Sequence, residues 1–291
     1  MKKRKFFMVF LIFVLLFVFI YVGVYLWASF TPKLSIDGAN GYYLYDSNGK
    51  LYTGSASEDW IGLESISQDL KNATISTEDK NFYKHRGFDY LRIFKALFIN
   101  IKSRENLQGA STITQQYTKN LFLNFDKTFE RKFKEALLTV RVETHYSKDE
   151  ILEGYLNTIN YGGIFGIENA SRYYFGKSAS ELSLAESSML AGIPKNPGVY
   201  SPFVNEKKAK QRQWVVLNSM VSNKYITDDE AKKAFDSPLN YKTDDGDDNF
   251  KMIKYYQDAV LEELEQIDSI PSSFLETGGL KIYTNLDTNA Y

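Results

Sequence analysis

Gly109-Ala-Ser-Thr-Ile-Thr-Gln-Gln-Tyr-Thr-Lys-Asn-Leu121 leads from glycine and hydroxyl residues into a helical period. Thr112 followed by Gln115 is a capping box, in which each side chain satisfies a backbone donor of the first turn. Ile113, Tyr117 and Leu121 then share one face and form a buried stripe. Thr112, Gln116, Lys119 and Asn120 fall at i, i+4, i+7 and i+8 and form a stripe of hydrogen-bonding groups. Free N–H groups at such a helix start, aided by Ser111 and Thr112, can hold a phosphate, with Lys119 adding charge one to two turns on. The alternative is an ordinary solvated face, although those are usually richer in Glu and Lys. The same cap signal recurs at Ser147…Glu150, Ser183…Glu186 and Thr227…Glu230, each before an apolar-periodic run, so the body is expected to be mainly α.

Upstream, Glu78-Asp-Lys-Asn-Phe-Tyr-Lys-His-Arg-Gly87 gathers adjacent carboxylates, an aromatic ring and a histidine. By pattern it reads either as a charged helix terminus before a glycine turn or as an acid–base site. Downstream lies Arg131-Lys-Phe-Lys-Glu135, in a helix whose apolar stripe is Phe129, Phe133, Leu137 and Val140. Arg131 and Glu135 are four apart, so they are expected to project from one side, away from the core. A plain surface ion pair is the bland account, but Arg before Glu is the weaker order for helix stabilisation, so the pair is not obviously there for that purpose.

The 291 residues, 44% of them hydrophobic, can bury one sizeable core with smaller pieces beside it. Lys and Arg number 35 against 36 Asp and Glu, which argues against a nucleic-acid partner read by net charge and makes phosphate recognition local. Cysteine is absent and only His85 and His145 are present, which excludes a thiol nucleophile and a cysteine metal site. Chemistry then falls to carboxylates.

Residues 6–28 carry no charge, and at about 1.5 Å per residue they can cross a hydrocarbon core of about 30 Å. Lys2, Lys3, Arg4 and Lys5 precede them and only Lys33 follows closely. A cytoplasmic N-terminus (1–5), a transmembrane helix (6–28) and an extracellular remainder are therefore expected. A cleaved signal is the alternative, but its apolar region is normally only about 7 to 15 residues. Residues 29–59 read as a juxtamembrane stalk with two short strands around an Asn48-Gly49 turn. The acidic Lys242 to Asn249 stretch reads as an exposed loop, followed by a helix-like Tyr255 to Ile267 and a strand-like Leu280 to Thr284.

Together these segments resemble the family 51 glycosyltransferases, the peptidoglycan polymerases found alone or as the N-terminal half of class A, bifunctional penicillin-binding proteins. Glu78 to Gly87 match E-D-x-x-F-x-x-H-x-G, Gly109 to Gln116 match G-x-S-T-I-T-Q-Q, and Arg131 to Glu135 match R-K-x-x-E. Lys148 to Asn157 and Gly166-Ile167…Ala170…Tyr174-Phe-Gly-Lys177 complete the order. The likeness covers residues 60–235. It implies a mainly α, lysozyme-like fold with a head and a smaller jaw against the membrane. It also implies an inverting transfer in which lipid II is polymerised into β-1,4-linked strands with release of undecaprenyl diphosphate.

By motif position, Glu78 is the implied general base with Asp79 supporting it, and Glu135 assists at the diphosphate directly or through a divalent cation, Mg or Mn. Lys119, Arg131 and Lys132 would offset phosphate charge, while Gly109, Ser111, Thr112, Gln116 and Asn120 belong to the substrate-holding segment. Lys195 is a further substrate contact, and Phe82 and His85 brace the cleft. No organic cofactor is called for. The implied partners are lipid II, the growing strand, membrane lipid, and wall-synthesis and division proteins. Phe88 to Ile101 is unusually apolar and reads as a jaw helix dipping into the bilayer, with Arg92 and Lys95 meeting lipid phosphates, or else as a core helix.

The rivals are a membrane-anchored lysozyme-like enzyme that cleaves glycan and a non-catalytic wall-binding scaffold. A transpeptidase needs S-x-x-K, S-x-N and K-T-G; only Ser47-Asn-Gly-Lys50 matches the first, inside the expected turn, and K-T-G is absent. The ending Gly278 to Asp287 resembles the link into a transpeptidase domain, so residues 236–291 are expected to be a linker toward a domain absent from this chain.

Overall fold

All four expected capping boxes form, and each opens a helix: Thr112 with Gln115, Ser147 with Glu150, Ser183 with Glu186, and Thr227 with Glu230. They are features of a computed structural model that describes residues 2–36, 42–54, 60–103, 109–123, 128–242, 256, 259–260, 262–264, 266–267 and 280–287. The helices in chain order are α1 (Lys2–Phe30), α2 (Gln68–Glu78), α3 (Tyr90–Ser103), α4 (Ile113–Phe122), α5 (Phe129–His145) and α6 (Lys148–Thr158). They continue with α7 (Ile167–Phe175), α8 (Leu184–Gly192), α9 (Pro197–Tyr200), α10 (Pro202–Ser222) and α11 (Asp228–Asp236). The mainly helical class is as expected. The tail segments at 243–249 and most of 255–267 lie outside the described residues.

The core joins α2, α8 and α10 on one side and α4, α5 and α6 on the other. The buried stripe of α4 is the one expected, with Ile113, Tyr117 and Leu121 all inaccessible. Tyr117 passes beside Gly154 of α6, where an added Cβ would lie 2.0 Å from its hydroxyl oxygen. That hydroxyl donates to Ile36 O at 2.8 Å. Asn157 and Glu153 explain much of the motif on α6. Asn157 exchanges hydrogen bonds with the backbone of Ile61, and Glu153 accepts from Trp60 Nε1 and Leu63 N–H. They clamp the segment that precedes α2.

The expected hairpin is present as β1 (Tyr42–Tyr45) and β2 (Leu51–Gly54), antiparallel, with Asp46 accepting from the N–H groups of Asn48 and Lys50 across the turn. The late strand β3 (Leu280–Tyr283) adds to it in parallel, pairing Tyr42 with Leu280 and Tyr45 with Tyr283, so the sheet order is β2-β1-β3.

Helix α1 is 29 residues long, and its C-terminal turns dock on α5 and on the turn before α3. Tyr25 donates to Arg86 O at 2.7 Å, His145 Nε2 lies 3.0 Å from Ala28 O, and Arg141 donates to Thr31 and Pro32. Among the described residues no helix is long and apolar enough to cross a membrane; the side chains of residues 2–6, 10, 13, 14 and 17 lie outside the described residues.

Two expectations about helix faces are corrected. Phe129 and Phe133, read as the buried stripe of α5, are 98% and 65% exposed, while Glu135 is 2% exposed. The helix turns its acid inward because Arg131, Lys132 and Gln115 are there to receive it. On α3 the large apolar residues Leu91, Phe94, Leu97, Phe98 and Ile101 are exposed, which removes the core-helix alternative. Arg92 does not face outward with Lys95, since its guanidinium donates to the backbone carbonyl of Glu78.

Candidate active site

The C-terminus of α2 delivers Glu78 and Asp79 to the N-terminus of α4. Asp79 is fully buried, and a buried carboxylate is stable only where hydrogen bonds replace its water. His85 Nε2 lies 3.0 Å from both of its oxygens, and the N–H of Ile113 donates to Oδ2 at 3.1 Å. The carboxylate only accepts, so His85 carries its proton on Nε2. Phe82 is buried beside this pair, with Lys148 Nζ 4.5 Å from its ring centre.

Asp79 therefore caps α4 and takes a backbone donor that sequence reading assigned to a phosphate. Thr112 is likewise not on the open stripe. Its side chain is fully buried, with the hydroxyl donating to Gly87 O at 2.7 Å and accepting from Gln115 N–H. Gly87 sits at φ +81, where an added Cβ would meet Thr139 at 2.8 Å, so the turn that brings its carbonyl to Thr112 requires glycine.

Two adjacent glutamines of α4 then hold the two remaining carboxylates. Tyr155 donates to Gln116 Oε1 at 3.3 Å, which turns Gln116 Nε2 to Glu78 Oε2 at 2.9 Å. Burial pushes the Tyr155 phenol well above its ordinary range, and the nearby Glu78 charge adds to this, so it stays a neutral donor. The capping box fixes Gln115 in the same way: Thr112 N–H donates to Oε1 at 3.1 Å and Nε2 faces Glu135 Oε1 at 3.3 Å. One turn of one helix thus meets Glu78 through Gln116 and Glu135 through Gln115.

Glu135 Oε2 accepts from Arg131 Nη1 at 2.8 Å, and Lys132 Nζ pairs with Oε1. Lys132 is half exposed and Arg131 mostly buried. A divalent cation does not fit this arrangement, because both carboxylate oxygens already face cations. Among the described residues no three His, Asp or Glu side chains are gathered to hold a metal.

Lys119 and Asn120 follow Gln116 on α4 and are half-buried, whereas Ser111 and Gly109 lie exposed ahead of the helix. Lys195 is exposed in the turn before α9 and, among the described residues, makes no hydrogen bond or ion pair to this group. Sequence reading missed Arg212 of α10, whose guanidinium lies 3.7 Å from Glu78 Oε1 while its Nε is buried without a partner. A lone arginine on a long helix gave no signal of this, and Tyr155 was read only as part of the Lys148 to Asn157 motif.

The family model described as transglycosylase matches residues 48–221. Penicillin-binding protein 2D of Bacillus subtilis (strain 168) is 47% identical over 78% of this chain and 33% of its own length. Penicillin-binding protein 1A of Aquifex aeolicus (strain VF5) is 39% identical over 84% of this chain and 33% of its own. The chain spans about a third of the length of these curated relatives. A crystal structure of penicillin-binding protein 1A from Haemophilus influenzae aligns with a TM-score of 0.40 and 21% identity, over 86% of this chain and 27% of that one. The chain belongs to the transglycosylase family, the family 51 glycosyltransferase domain, which it shares with penicillin-binding proteins named 1A and 2D.

Proposed function

We propose that this chain is a membrane-anchored peptidoglycan glycosyltransferase that polymerises lipid II outside the cell membrane. The observation that carries the reading is the pair of neighbouring amides, Gln115 and Gln116, that hold Glu135 and Glu78 at the same turn of one helix. In the proposed step the acceptor 4-hydroxyl attacks C1 of the lipid-linked donor strand. Glu78 takes the hydroxyl proton, the C1–O bond to undecaprenyl diphosphate breaks, and the anomeric centre inverts. Asp79 and His85 position Glu78 by fixing the end of α2 against α4.

Glu135 acts through Arg131 and Lys132. A carboxylate held by both keeps the two cations side by side, where they offset the charge that develops on the leaving diphosphate. Lys119 and Asn120 lie one turn further along α4 and extend the polar surface toward bound sugar or phosphate.

Membrane attachment is part of the proposal. Residues 6–28 are uncharged, α1 is helical throughout, and the exposed apolar faces of α3 and of Phe129 and Phe133 offer a second contact with the bilayer. The test is incubation of the full chain with labelled lipid II in detergent. Lysozyme-sensitive polymer with release of undecaprenyl diphosphate is expected. Release of short sugars from finished peptidoglycan, without polymer, would overturn the assignment in favour of a cleaving enzyme.

A further inference from the structure

Between the outer turns of α1 and the head lies a cleft of about 740 Å³ that the proposed reaction does not use. Its wall on one side is Tyr21, Tyr25 and Leu26, and on the other Tyr146 and the turn that carries Lys84 and Arg86. Three bases line it, Lys84, Arg86 and Lys148, against one acid, Glu143. Glu143 is buried and already bound by Lys148 and by Thr114, so the local charge belongs to Lys84 and Arg86. Both are exposed, and neither side chain has an acidic partner among the described residues.

A second observation points to a ligand. His85 also lines this cleft, its side chain is only 9% exposed, and Nδ1 is buried without a hydrogen-bond partner. With Nε2 committed to Asp79, Nδ1 is the ring atom left without a partner, and because it is closed to water in the free protein an occupant reaches it only as the cleft lining shifts. A neutral imidazole accepts a hydroxyl there, and a protonated one donates to a phosphate oxygen. Aromatic rings sit at the headgroup level of a bilayer and bases beside them attract anionic headgroups, and the apolar side of α1 gives acyl chains a surface to follow.

We propose that this cleft binds the headgroup of an anionic phospholipid of the outer leaflet, with Lys84 and Arg86 on the phosphate and His85 Nδ1 on the glycerol hydroxyl or phosphate. It rests on the reading that α1 crosses the membrane with its C-terminal end outward. Because the same imidazole braces Asp79, an occupied cleft stiffens the contact between α2 and α4 that holds Glu78 in place.

The test is native mass spectrometry of the full chain released from nanodiscs of phosphatidylcholine with or without phosphatidylglycerol, comparing wild type with Lys84→Gln/Arg86→Gln. Wild type is expected to retain one phosphatidylglycerol, and the double variant to bind it about thirty-fold more weakly at the strength usual for two interfacial bases. Equal retention by both proteins, or equal retention of phosphatidylcholine, would overturn the proposal. Displacement by inorganic phosphate alone would also overturn it, by reducing the site to a simple anion site. Lipid II polymerisation by the same samples is read separately, so loss of the lipid site and loss of the proposed reaction are distinguishable. A Phe30→Cys variant, in a chain without cysteine, reports topology independently through labelling from outside with an impermeant maleimide.

Discussion

Asp79→Asn keeps the shape of the side chain and removes one acceptor. In the folded protein both Asp79 oxygens lie 3.0 Å from His85 Nε2, and Oδ2 also accepts from the Ile113 N–H at 3.1 Å. An asparagine must turn its NH₂ toward one of these donors. Losing a hydrogen bond to a charged group costs about 1.5–3 kcal/mol, and leaving a buried donor unmet costs about 1–3 kcal/mol more. Asp79 is inaccessible to solvent, so water does not relieve either loss, and a total near 3–5 kcal/mol is expected. For a domain of this size each kcal/mol moves the melting temperature by about 2–4 °C, which gives a fall of about 6–20 °C. Circular dichroism of the full chain in detergent reads this directly. Adding His85→Ala should cost less in the Asn background than in wild type, by about 1 kcal/mol or more, because the two side chains share the interaction. A melting temperature unchanged within about 2 °C, or strictly additive losses, would refute the brace.

Gly154→Ala puts a methyl against the buried Tyr117 ring, whose hydroxyl is tied to Ile36 O; a loss of about 1–3 kcal/mol is expected from overpacking, measured by urea unfolding. Glu135→Gln frees Arg131 and Lys132 from their shared partner and should lower polymerisation kcat by about 10²-fold, with Glu135→Gln/Arg131→Ala no worse than the poorer single variant, since they act as a unit; simple multiplication of the two losses would argue against that unit. Burial pushes the Asp89 carboxyl up, but hydrogen bonds from Asn81 and the Arg92 N–H outweigh it and leave it below its ordinary 3.8. Its contribution is therefore fully present above pH 3.8 and fades as pH falls through the lower folded value, so the melting-temperature gap between wild type and Asp89→Asn should close on acidification and stay constant at neutral pH.

Local signals were legible in the sequence because their physics is local. The four capping boxes, the Asn48-Gly49 turn and the buried stripe of α4 involve residues at most a few positions apart, and each forms as read. The failures are contacts across long separations. Which face of α5 turns inward depends on Gln115, twenty residues earlier, receiving Glu135, so the spacing of Phe129 and Phe133 was a misleading guide. The N-terminus of α4 looked open to phosphate because nothing nearby occupies it; its occupant, Asp79, is 34 residues away. Arg212 and β3 reach their partners from still further along the chain. The pairing of Glu78 with Gln116 was the part of the site closest to being readable, since both stood out, but that Tyr155 orients the amide was not.

In the proposed reaction Glu78 removes the acceptor proton while its neighbours only hold it. Single-turnover polymerisation of labelled lipid II by wild type and Glu78→Gln tests it most directly. The glutamine keeps the contact with Gln116 and should leave the melting temperature near that of wild type, while the rate falls by about 10²- to 10⁴-fold. Polymer formed at a wild-type rate by folded Glu78→Gln would rule out Glu78 as the base.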